Sequence, residues 1–154
     1  MDALQKKYQV ELENLKTEGV AKYHFVDYAP VSFVTFRNQP ALQATLRNPD
    51  TFDKDASSIY RRAARTFDLF LAPRLKGILE KIPENPDFSA LDFTVILDLT
   101  SAKSPKSSEA IEFFLPLKSV RRLVTADITN QDLINESIVL VNGVRIPLNL
   151  PQVE

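Results

Sequence analysis

Two stretches of strict alternation constrain this chain more than any other feature. Across residues 91–99 the odd positions Leu91, Phe93, Val95, Leu97 and Leu99 are apolar. Across 109–117, Ile111, Phe113, Leu115 and Leu117 repeat the pattern. Successive side chains of a strand point to opposite faces, so a period of two means one buried face. The polar segment between them, residues 101–108, contains four serines, two lysines and Pro105. The pair therefore reads as an antiparallel hairpin closed by a mobile loop. Its apolar face needs a cover.

The cover is visible upstream. Ile59, Ala63, Phe67, Phe70, Leu71, Leu75, Ile78, Leu79 and Ile82 form one helical stripe. Pro73 lies inside it, where an interior proline costs ~3 kcal/mol. The stripe keeps its phase across the proline. The expectation is a Pro73-kinked helix from about residue 56 to 81, opened by Asp53 or Asp55 and ended by Pro83 and Pro86. Two helices meeting at Ala72-Pro73 is the alternative.

Elsewhere the signals are local. Asp2 can cap a first helix carrying Leu4, Tyr8, Leu12 and Leu15, with Gly19 just past its end. This helix, over about residues 2–18, reads as peripheral. Residues 22–37 are rich in β-formers but split by Pro30, giving two short strands or one bent edge strand. Asn38 suits the cap of a short helix over 40–46, closed by Asn48-Pro49. Residues 119–126 fit either a helical turn or a strand. Thr129 and Asp132 have capping-box spacing for a helix over 130–135. Asn142-Gly143 between β-branched runs predicts a type I′ hairpin, with Pro147 near its end.

Helices first and strands grouped later give an α+β class. The expected architecture is an antiparallel sheet of about five to six strands, the long helix on one face and the N-terminal helix beside it. The length, 154 residues, suits a single domain over 1–154. Hydrophobic residues make up 44% and charged residues 25%, enough for a full core without disulfides.

Composition then narrows function. The chain has no cysteine, one histidine (His24) and three glycines. Thiol nucleophiles, Cys/His metal cages and phosphate-cradling glycine loops draw on these residue types. No cofactor is expected, and no metal, since no Asp-rich loop has ligand spacing. The formal net charge of -1 gives no basic excess for nucleic acid. No run approaches the ~18 apolar residues of a membrane span. An exported or periplasmic setting is favoured, any signal peptide being absent from this sequence, because exported domains also avoid stray thiols. Asn135-Glu136-Ser137 is a glycosylation sequon that chance alone supplies in many chains.

Some residues remain as site candidates. Asp98 and Glu112 are the carboxylates for acid–base work, with His24 as a further titratable group. Their pairing depends on register. With Leu97 opposite Phe113, Asp98 would oppose Glu112. With Leu97 opposite Ile111, Asp98 meets Ala110 and Glu112 meets Ile96, which avoids like-charge repulsion and is preferred. Phe67, Phe70 and Phe113 are candidates to line a ligand cavity between helix and sheet. Ile96 and Phe114, on the outer face, are candidates for an interaction surface. Arg61, Arg62 and Arg65 read as a solvated face, Arg65 within reach of Asp68. Gly77, inside the helical stripe, is expected to mark a close packing contact.

These features favour a non-enzymatic binding or scaffold domain, part of a larger or exported protein, whose partner is a protein: a second copy or another domain. A binder of a small apolar ligand and a carboxylate-based hydrolase or isomerase are the alternatives.

Overall fold

The computed structural model describes residues 2–84 and 86–153. Met1 and the side chain of Asp2, on which the expected cap rests, lie outside the described residues. Helices α1 (Asp2–Lys7) and α2 (Gln9–Lys22) meet at Tyr8 and lead to strands β1 (Val31–Phe36) and β2 (Gln39–Asp53). A helical path follows as α3 (Ile59–Arg65), a π-helical turn (Thr66–Leu71) and α4 (Ala72–Leu79). Strands β3 (Ala90–Thr100) and β4 (Ser107–Pro116) come next, then α5 (Leu117–Val124), α6 (Asn130–Asn135), β5 (Ile138–Val141) and β6 (Val144–Arg145). A short 3₁₀ segment, Leu150–Val153, follows.

The six strands among the described residues form one sheet whose spatial order is the chain order. Every neighbour is antiparallel except β2 and β3, which run parallel. The fold is α+β with a mostly antiparallel sheet. A parallel pair needs a long crossover, and the helical path from Ile59 to Leu79 supplies it. Just ahead of Pro73 the hydrogen bonding changes register: the Ala72 N–H donates to the Phe67 carbonyl, five residues back. The proline has no N–H to give, and the wider turn precedes it.

Three local expectations are corrected. Residues 40–46 form strand, not helix. Their Ala, Leu and Gln content favours a helix, but Leu42, Ala44 and Leu46 alternate into the core, and packing outweighs propensity. Arg37 and Asn38 both adopt positive φ, 51° and 64°, and close a tight β1–β2 turn with Phe36 opposite Gln39. Asn48-Pro49 marks an irregularity within β2, between Arg47 and Thr51, where the register with β3 shifts; the Asn48 Oδ1 accepts from the Asp50 N–H at 3.0 Å. Of residues 22–37, only Val31–Phe36 is a strand. His24 and Ala29 turn at φ 64° and 44°, leaving Phe25 a single bridge to Leu46. Gly19 lies within α2 rather than after it: a Cβ there would sit 2.2 Å from the Phe25 ring, so only glycine lets that ring seat without a shift.

Other signals are realised as read. Thr129 and Asp132 form the capping box of α6. Asn142 and Gly143 turn the β5–β6 hairpin at φ 49° and 85°. A Cβ on Gly77 would lie 2.0 Å from the Tyr23 hydroxyl, so this glycine does mark a close contact.

The odd face of β3 and β4 carries the main core. Phe93, Val95, Leu97, Ile111, Phe113 and Leu115 pack with Phe67, Leu71, Leu75 and Ile78 from the crossover, and with Val120 and Leu133 from α5 and α6. The N-terminal helices join this same side. Tyr8 sits 5.8 Å from Phe33 and 5.5 Å from Phe88, ring centroid to centroid, and Leu12 and Leu15 are buried below it.

Candidate functional site: the second face of the sheet

The strand pairings place the opposite face residue by residue. One row runs Val34, Ala41, Ala90, Pro116 across β1 to β4. The next runs Ser32, Gln43, Asp92, Phe114, Ile138, and the third Thr45, Thr94, Glu112, Leu140, Arg145. A fourth holds Arg47, Ile96 and Ala110. The first end is apolar. Phe36 and Phe114, three strands apart, lean over the small Ala41 and Ala90 until their ring centroids are 4.5 Å apart. Val34 and Ile138 flank them, and every member of this cluster comes from a strand. No described helix residue takes part in it.

The second end is polar, and Asp92 stands at the boundary. It is 2% exposed, and its Oδ1 has no hydrogen-bond partner. Glu112 lies diagonally across on β4, the arrangement that brings side chains two positions apart within reach. Burial first, then a hydrogen bond with Glu112 and the repulsion of its charge, pushes the Asp92 carboxyl up to about 8. The raised carboxyl favours the protonated form, a hydrogen-bond donor beside a second carboxyl. Neither group is ion-paired among the described residues, whereas Arg47 and Asp98 satisfy each other at 2.7 Å.

The register of β3 and β4 decides this pairing, and it is neither of those expected from sequence. Leu97 faces Glu109, Asp98 faces Ser108 and Glu112 faces Thr94. The strands are slipped by two residues from the preferred alignment. The slip pairs Phe93 with Phe113 in the core and brings Glu112 to Asp92 rather than to Asp98.

The other candidates lie apart. His24 is exposed on the α2–β1 connection, its ring 5.9 Å from Phe70. Phe70 also carries the Arg74 guanidinium 4.0 Å above its ring. Phe67 and Phe113 are fully buried and in contact at 5.5 Å. A gap against the core, lined by Tyr8, Leu15, Phe33, Leu42, Ile82 and Phe88, holds about 10 Å³, room for one water at most. Ile96 and Phe114 do share the second face, separated by the Thr94–Glu112 row.

Arg62 is not solvated. It inserts beneath α3 and makes a bidentate pair with Glu109, at 3.0 Å from Nε and 2.9 Å from Nη2, both side chains 4% exposed. Its Nη1 donates to the Ser57 carbonyl at 2.5 Å. Its signal in the sequence is its place directly before Ala63 on the helical stripe. Among the described residues no cluster of three or more metal-ligating side chains forms. Among the described residues no helix is long and apolar enough to cross a membrane. Comparison with family models, curated proteins and solved structures finds no match to this chain.

Proposed function

We propose that this is a non-enzymatic binding domain whose second sheet face docks the surface of another protein. The observation that carries the reading is the half-exposed apolar cluster of Val34, Phe36 and Ile138 around Phe114, over which no described helix lies. Contiguous apolar patches rimmed by polar residues mark interaction sites. The rim here is Gln43, Thr45, Thr94 and the Arg47–Asp98 pair. A second copy of the chain fits less well. Two-fold pairing through this face would set the Glu112 of one copy against that of the other, and like charges oppose such an approach. The same acidic centre disfavours phosphate backbones and anionic membranes.

The test is site-specific photo-cross-linking in cells that make the protein, with the cross-linker placed at Ile96, at Ile138 and, as control, at the exposed Glu13 on α2. One discrete adduct with a different protein from the two face positions, lost on Phe36→Ser, supports the reading. An adduct of two identical chains, equal labelling from Glu13, or no adduct overturns it.

A further inference from the structure

The deepest feature of this face is a buried acid with one carboxyl oxygen left unpartnered. Resting on the docking reading above, we propose that Asp92 and Glu112 receive a cationic side chain, a lysine ammonium or an arginine guanidinium, brought by the partner protein. Three observations converge. Asp92 lies at the centre of the face, on the third of six strands, with the Phe36–Phe114 pair on one side and the polar rows on the other. Its Oδ1 is an acceptor with no donor, a cost that folding alone would remove by placing an apolar residue there. Glu112 beside it is only half-buried, so the pair can be approached from outside.

Of the charges on this face, the Arg37 guanidinium lies over the Phe36 ring, 5.5 Å from its centroid, and the others leave the position at the pair open. From β2, Gln43 and Thr45 face it without charge; Arg47 is engaged by Asp98 of β3. From β5 and β6 the row beyond Glu112 carries Leu140, then the exposed Arg145. A flexible cation with several donors can reach Glu112 first, satisfy Oδ1 as the Glu112 side chain turns, and displace the Asp92 proton to solvent. Its aliphatic stem would lie along Phe114 and Ile138, as long cationic side chains bury their stems on apolar surface.

The experiment uses the full chain with ¹³C-labelled carboxyl groups, titrated with n-propylguanidinium chloride or n-butylammonium chloride and compared with sodium chloride at equal ionic strength. The proposal expects saturable shifts at the Asp92 and Glu112 carboxyl carbons and an Asp92 titration midpoint moved to lower pH. It also expects at least a tenfold weaker response in Glu112→Gln. Shifts that match sodium chloride, or that persist unchanged in both Glu112→Gln and Asp92→Asn, overturn it. The wild-type comparison of organic cation with salt needs no variant to fold. A face that cross-links to a partner while the carboxyls ignore both probes overturns the cation site alone. A carboxyl response without any adduct overturns the docking reading, and with it the partner named here, but leaves the pair as a cation site.

Discussion

At the scale of single residues, Asp92 should be visible in stability. Its carboxyl is held up near 8 in the folded chain, against 3.8 ordinarily. Below about pH 4 both folded and unfolded states hold the proton, and the favourable contribution is fully present. As the pH rises towards 8 the unfolded state gives the proton up first, so stability falls across that window. Asp92→Asn imitates the protonated form. It should flatten the slope between pH 4 and 8 and stabilise the fold at pH 8 by about 1–3 kcal/mol, measured by urea unfolding at several pH values. A slope identical to the parent would contradict the placement of this carboxyl. Gly77 gives a second test. A Cβ there collides with the Tyr23 hydroxyl, so Gly77→Ala should lose about 1–3 kcal/mol despite its better helix propensity. Tyr23→Phe, which removes the oxygen, should restore much of the loss.

At the scale of elements, the clearest signals were those completed within a few residues. The capping box of α6 joins Thr129 and Asp132, three residues apart. Thr129→Ala should therefore cost about 1 kcal/mol, read from the thermal midpoint. The Asn142-Gly143 turn was legible because both positions need positive φ. Arg37-Asn38 has the same positive-φ geometry but lacks the glycine, so no turn motif marks the β1–β2 hairpin in the sequence. β2 was hidden for a related reason. Its core-facing residues include the small Ala44, so the alternation is faint and the helix-forming residues dominate.

At the scale of the molecule, one buried ion pair ties the crossover helix to the sheet. Arg62 of α3 and Glu109 of β4 are 47 residues apart in sequence and fully desolvated. Removing one partner leaves an unpaired buried charge, so Arg62→Met should cost about 3–5 kcal/mol, and Arg62→Met with Glu109→Leu far less. A double variant as damaged as the single one would show that the pair contributes more than mutual neutralisation. The candidate site belongs to this scale too. Phe36 and Phe114 meet across three strands, and Asp92 meets Glu112 only in the register that the core selects.

Which residues face the core along β3 and β4, where the chain turns at Asn142-Gly143, and which chemistries lack their residue types can all be read from the order of the amino acids. These depend on period, turn stereochemistry and composition, all local properties. The β3–β4 register, the parallel β2–β3 pair, the burial of Arg62 and the pairing of Asp92 with Glu112 emerge from the folded chain. The physical reason is parity. Sliding one strand by two residues leaves every side chain on its own face, so alternation cannot distinguish the registers. The choice falls to long-range packing, here Phe93 against Phe113 beneath the crossover helix.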